Sequence, residues 1–195
     1  YGIEIEEFSA KIAEVALWLV DHQMNMRLSE AFGVYFARLP LKKSAHIHYG
    51  NSLDMDWRSV IAPDKLSYIL GNPPFVGSKN QTVSQRKEIS RIFHGVKGAG
   101  VLDYVAAWYL KAAQYIQDTS ITCAFVSTNS ITQGEQVGIL WGELLKKYGI
   151  KIHFAHRTFA WGSEARGTAA VHCVIIGFAT HDTSHKLLYD YDTPK

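Results

Sequence analysis

An apolar run, Leu66–Gly71, stops abruptly at Asn72-Pro73-Pro74-Phe75. Neither proline has an N–H to donate, so the pair cannot continue a sheet ladder. Proline also fixes its own φ and biases the residue before it toward extended backbone. The expected product is a stiff, non-helical turn that holds an amide, Asn72, and an aromatic ring, Phe75, at the end of a strand. Such a turn can orient a ligand, or it can simply end the strand. Other strand-like runs end in residues that could also meet a ligand: Glu4 and Ile5, Asn51 and Ser52, and Ser127, Thr128 and Asn129. In an open α/β sheet, ligands bind beyond the carboxyl ends of the strands, so these residues are expected at one sheet edge.

Each has a plain alternative. An acidic residue closing a strand suits ribose hydroxyls, and Glu4 fits that position; Glu6 and Glu7 read better as solvated carboxylates opening a helix. Asn51 can meet an adenine edge or merely make a turn. His46 and His48 fall on one face of a strand, and His153 and His156 are close in sequence. Metal ligation needs third and fourth ligands, which the spacing does not supply. Trp18, Trp108 and Trp141 fall on helical segments, where packing explains them.

The elements that must position these residues follow from periodicity. Residues 1–6 read as a strand, and from Glu7 a helical pattern takes over, with Ile12, Val15, Ala16, Leu19 and Val20 at helical spacing. This helix is expected to continue, with a break, toward Gly33. Strands follow at 45–49 and 66–71, then a long polar connection from Val76 to Gly100 with a short helix at Ser84–Phe93. Long connections inside compact domains are often functional loops. A strong helix opens at Leu102-Asp103-Tyr104 and runs to about Gln117. The run at 121–127 reads as a strand buried on both faces, as in a parallel sheet. A helix over Gly134–Lys147, a strand at 151–155 and a central or near-central strand at 168–179 complete the pattern; residues beyond His181 read as a tail. The alternation argues α/β with a mostly parallel sheet. The last two strands lack a helix between them and are expected to be antiparallel.

Composition is consistent with a packed core. The 195 residues are 47% hydrophobic and 19% charged, enough to exclude a disordered chain. Net charge is +2, so a global electrostatic case for nucleic acid is absent, although a local basic patch is not excluded. Cys123 and Cys173 both sit in apolar strand-like runs, which fits a cytoplasmic protein better than a disulfide scaffold. No apolar run approaches the ~20 residues of a membrane helix. Tyr1 leads directly into a strand, and the chain is expected to be a piece of a longer protein.

Asn72-Pro73-Pro74-Phe75 after an apolar strand resembles the (D/N/S)-P-P-(Y/F) motif of amino-methyltransferases that use S-adenosylmethionine. The segments GIEIEEFSAKIAEVALWLVDHQMN, GVLDYVAAWYLKAAQYI, AFVSTNSITQGEQVGILW and FAHRTFAWGSEARGTAAVHCVIIGF resemble the N6-adenine DNA methyltransferase domain of large single-chain (type IIG-like) bacterial restriction–modification enzymes. The four-residue motif alone is moderately specific, and the set is strongly so; together they cover nearly all of residues 1–180.

That resemblance implies a Rossmann-like class I methyltransferase sheet, mostly parallel with an antiparallel last strand. It implies that Glu4 holds the ribose of S-adenosylmethionine, that Ile5 packs on its adenine, and that Asn51 and Ser52 lie at the adenine's amino edge. Asn72 and the Pro73 carbonyl would accept the two N6 hydrogens of the target adenine, with Pro74 stiffening the turn and Phe75 stacking on the base. Phe159 or Trp161 would form a second wall, from the loop between the last two strands. Apart from the resemblance, the basic segment from Lys79 to Arg91 is either a solvated loop or a patch facing DNA phosphate, and its place directly after the turn favours phosphate. The family's glycine-rich loop precedes the first strand seen here and has no counterpart in the chain. Residues 1–180 are therefore expected to be a partial catalytic core lacking the family's first strand, with 181–195 leading toward an absent target-recognition domain. Such a piece is expected to bind cofactor weakly or not at all, to associate through its open sheet edge and to be inactive alone; in the whole protein, double-stranded DNA is the expected partner. A methyltransferase for a protein glutamine or an RNA base, and a non-catalytic DNA-binding or assembly module, are the alternatives.

Overall fold

The structure is a computed structural model that describes residues 1–33, 45–161 and 171–191. It divides into two compact units, Tyr1–Ala62 and Pro63–Lys195.

In the first unit, strand β1 (Gly2–Glu4) is followed by helix α1 (Glu7–Phe32), strand β2 (Ile47–Tyr49) and a short helix α2 (Trp57–Val60). β1 and β2 pair in parallel, Gly2 opposite Ile47 and Glu4 opposite Tyr49. Parallel neighbours need a crossover, and the stretch containing α1 supplies it. α1 runs for 26 residues without the expected break, because Ala, Leu, Met and Glu keep helix propensity high throughout. It ends at Gly33, whose φ of 64° is the left-handed conformation that closes many helices. The apolar residues at helical spacing are not buried in this unit: Phe8, Ile12, Val15, Leu19 and Val20 are exposed, and only Ala10 of the helix is buried.

In the second unit, strand β3 (Tyr68–Gly71) leads through α3 (Val83–Ile92) and α4 (Ala106–Tyr115) to β4 (Thr122–Thr128). Helix α5 (Gly134–Gln136) continues through wider π-helical turns at Val137–Trp141 and Glu143–Lys147, followed by β5 (Lys151–Trp161), β6 (Val171–Ala179) and β7 (Leu187–Tyr189). The sheet order is β3-β4-β6-β5-β7. β3 and β4 are parallel, as are β5 and β7, while β6 runs antiparallel to both β4 and β5. The expected antiparallel pair is thus β5 and β6, and β6 is central. The expected buried-both-faces character of β4 is not seen: Cys123, Phe125 and Ser127 are buried and their neighbours are half-buried. Two further expectations are corrected. β5 extends to Trp161 rather than stopping at 155, because bulges between Ile152 and Phe154 and between His156 and Phe159 absorb the irregular stretch. Leu187–Tyr189, read as tail, pairs with Phe154–His156.

The core of this unit lies between the sheet and α4. Ala106, Ala107, Ala112 and Ala113 let the helix lie close, and Tyr109 fills the space beneath. Its ring stacks on Phe178 at 5.4 Å and meets Phe125 edge-on at 5.2 Å. The buried phenol is satisfied by Ser127 Oγ at 2.7 Å, and burial pushes its pKa above the ordinary tyrosine value. Burial likewise pushes the Cys123 thiol up to about 12. Gly177 has to be glycine, because a Cβ there would sit 2.1 Å from the Phe154 ring.

Candidate active site

The turn after β3 begins with a close approach. A Cβ on Gly71 would lie 3.0 Å from the Phe125 ring of the neighbouring strand, so any larger residue there would press that buried ring aside. Beyond it, Pro73 is buried, Asn72 and Pro74 are exposed, and Phe75 is half-buried. Among the described residues the Asn72 side chain makes no hydrogen bond and the Phe75 ring makes no aromatic contact. The turn thus presents a planar amide and a ring whose polar and π surfaces are uncommitted.

The far end of the turn is fixed at Val76. Its N–H donates to Asp103 Oδ1 at 3.3 Å, and its carbonyl accepts from Tyr104 N at 2.9 Å and Gln81 Nε2 at 3.2 Å. Gln81 is buried and also donates to the Leu102 carbonyl at 2.9 Å. The long connection from Val76 to Gly100 is therefore packed. α3 starts with a reciprocal capping box between Thr82 and Gln85 and buries Ile89, with Phe93 buried just beyond it. Its Glu88 accepts a hydrogen bond from the Tyr104 hydroxyl.

Asp103 and Gln81 are the residues the sequence reading missed. Asp103 stands just ahead of α4, where acidic residues commonly meet helix N–H groups, and that position was the available signal. Nothing local points to Gln81. Of the strand-end residues after β4, Ser127 is buried against Tyr109 and Thr128 donates to Asp103 Oδ2 at 2.9 Å, so both serve the interior. Asn129 begins a turn of 3-10 helix.

In the first unit, the carboxyl ends of β1 and β2 lie side by side, with Gly50 N donating to the Glu4 carbonyl at 2.8 Å. This brings Glu4 and Ile5 beside Asn51 and Ser52. Glu4 Oε1 accepts from Glu6 N at 3.1 Å, and Ile5 is exposed. A carboxylate has about four acceptor positions, so one local bond leaves Glu4 able to take hydroxyl donors. Asn51 Oδ1 accepts from Leu53 N at 2.9 Å, and the Ser52 carbonyl accepts from the Trp57 indole at 2.9 Å. The turn role weighed for Asn51 is thus present.

Lys79 is exposed in a 3-10 turn, Ser78–Asn80, and precedes Arg86, Lys87 and Arg91, all exposed. Phe159 does not lie in a loop as expected: it is in β5, paired with Cys173, and its ring meets Tyr191 edge-on at 5.5 Å. Trp161 is the last residue of the same strand, paired with Val171. His46 stacks on Tyr1 at 4.8 Å, Trp18 on His22 at 5.8 Å, and the buried Trp141 donates to the Ile131 carbonyl at 2.8 Å. Among the described residues, no group of three or more His, Cys, Asp or Glu is arranged to hold a metal ion.

Known proteins share this architecture. The family model of the DNA-methyltransferase domain of MmeI matches residues 1–190. A protein of Bacillus subtilis (strain 168), DNA methyltransferase A, is 42% identical over 199 residues, covering 100% of this chain and 22% of the relative. The type IIL restriction-modification enzyme MmeI, solved in complex with DNA, superposes with a TM-score of 0.91 at 59% identity, over 99% of this chain and 26% of that one. A methyltransferase subunit of a type I restriction-modification system from Streptococcus thermophilus shares the fold alone, with a TM-score of 0.52 at 17% identity over 86% of this chain and 34% of its own. The chain thus spans about a quarter of the length of its two similar relatives. With nearly every residue inside the matched region, the chain belongs to the MmeI DNA-methyltransferase domain family.

Proposed function

We propose that this chain is part of the catalytic core of a restriction–modification enzyme that methylates the N6 amino group of adenine in double-stranded DNA, using S-adenosylmethionine. The observation that carries the reading is the turn at the end of β3, where Asn72 is exposed and unpaired among the described residues, Phe75 has no ring partner, and Val76 is tied down behind them. Family membership and the similarity to an enzyme solved with DNA support DNA as the substrate. The remainder of the relatives' length leaves room for nuclease and target-recognition functions outside this segment.

The exocyclic nitrogen of adenine is a poor nucleophile, because its lone pair is delocalised into the ring. Two acceptors on its hydrogens, Asn72 Oδ1 and the Pro73 carbonyl, would draw it toward tetrahedral geometry and aim the lone pair outward. An amide does this without burying a charge. S-adenosylmethionine supplies a methyl group on a sulfonium, which needs alignment more than activation. Glu4 and Ile5 would hold its ribose and adenine, with Asn51 and Ser52 at the amino edge. A target base inside a duplex is out of reach, so it must be flipped out, and Phe75 offers a face on which to stack it. Lys79 would meet phosphate, while Phe159 or Trp161 would flank the base.

Substitution at Asn72 tests the reading in the full-length parent protein, with radiolabelled methyl donor and duplex DNA, RNA and protein as separate acceptors. Label should enter DNA at adenine N6. Asn72→Ala should slow transfer by about 10²–10³-fold, the usual loss of one preorganised contact, while cofactor affinity stays nearly unchanged. A variant within threefold of wild type, roughly 0.65 kcal/mol, would remove Asn72 from the mechanism.

A further inference from the structure

Asp103 is 2% exposed, yet it carries a carboxylate. Its oxygens divide their bonds between three parts of the second unit. Oδ1 accepts from Val76 N at 3.3 Å and from Val105 N at 3.2 Å. Oδ2 accepts from Thr128 Oγ1 at 2.9 Å and lies 3.2 Å from Ser130 Oγ. The two hydroxyls also contact one another. Two hydrogens serve these three contacts: with Thr128 donating to the carboxylate, Ser130 donates to the carboxylate or to Thr128. The main-chain N–H of Asp103 donates to Gln136 Oε1 at 2.9 Å, adding α5 to the cluster.

Only the bond to Val105 is the kind a helix start asks for. The others reach the residue directly after Phe75 and the residues at the end of β4. We infer that Asp103 is a positioning residue, which locks the Asn72–Phe75 turn to the end of β4 and so fixes where Asn72 and Phe75 sit. This rests on reading that turn as the methyl-transfer site. A buried carboxylate suits the task because it accepts from amides and hydroxyls together, and a charged acceptor makes stronger bonds than a neutral one. The prolines stiffen the turn internally; Asp103 sets its place relative to the neighbouring strand.

The test uses the full-length parent protein, hydrogen exchange across residues 72–76, and single-turnover transfer from tritiated S-adenosylmethionine to unmethylated phage DNA. Asp103→Ala should expose the Val76 amide to fast exchange and slow transfer by about 10²-fold, the scale of an ångström-sized misplacement. Cofactor and DNA affinities should stay within about threefold, so the loss falls on kcat rather than KM. Asp103→Asn should recover most of the protection and rate, since its amide oxygen can still accept from Val76 and its NH₂ can donate to the hydroxyls. Unchanged Val76 exchange, unchanged transfer, or an asparagine variant as slow as alanine would each overturn the inference. If the alanine variant does not fold, the pair Thr128→Val and Ser130→Ala together should slow transfer about tenfold, and a rate within about threefold of wild type would overturn it. If the wild-type protein transfers no methyl group to DNA, the proposed function falls, while the Val76 exchange still decides whether Asp103 fixes the turn.

Discussion

Phe75 shows how far a single residue's role can be read from type and place. A ring used for packing would be buried and surrounded, whereas Phe75 is half-buried and has no aromatic neighbour among the described residues. Phe75→Ala should therefore lower the melting temperature only slightly while abolishing most methyl transfer, and Phe75→Trp should retain activity. Core truncations of phenylalanine cost about 3–5 kcal/mol, so severe destabilisation of the alanine variant on a melting curve would return Phe75 to the interior. The turn holding this ring was legible because the missing N–H of proline is a strictly local property. The anchoring of Val76 was not, because its carboxylate partner is 27 residues away and that partner's hydroxyl donor a further 25. No spacing rule connects such positions before the strands are placed.

At the scale of elements, the sheet's central pair is governed by one contact. Gly177 on β6 faces Phe154 on β5, and the space where a Cβ would go is occupied by the ring. Gly177→Ala should destabilise the second unit by at least the ~1–3 kcal/mol typical of overpacking, and Phe154→Leu in the same chain should recover part of it. Denaturant midpoints for the two single variants and the double variant measure that coupling; strict additivity would mean that the ring moves aside without cost. Of the strand expected at 168–179, positions 168–170 lie outside the described residues, and the rest is β6, since an apolar run of that length admits few other fates. It did not predict the reach of β5, because His156, Arg157 and Thr158 interrupt the apolar run where the bulge lies. β7 left no signal either: all three of its residues are exposed, so it lacks an inward-facing apolar set.

Across the whole molecule, burial is uneven. Nearly all the large buried side chains belong to Pro63–Lys195, while the first unit buries only Ala10 and Leu53 among its described hydrophobic residues. Regions with few buried apolar contacts open first. In the 195-residue chain, the amides of α1, β1 and β2 should exchange before those of β4 and β6, and limited proteolysis should cut the first unit earlier. Equal protection of both units would show that burial does not set their stability. Alternation of strands and helices made the α/β class legible, since each crossover leaves a local pattern. It could not reveal that a helix as apolar as α1 would stay exposed in its own unit, because periodicity reports a face and not its cover.

β3 stands at the outside of its sheet and, among the described residues, pairs with β4 alone. An outer strand is a template for stray chains, and the length of its row of free donors decides how firmly a stray chain can attach. Tyr68 and Leu70 make this row inviting, being 69% and 78% exposed. The row nevertheless ends within one residue of Gly71, because Pro73 and Pro74 have nothing to donate. The dipeptide that stiffens the turn thus also sets where this open edge stops, so replacing Pro73 and Pro74 to loosen the turn would extend the row of donors that a stray chain could use.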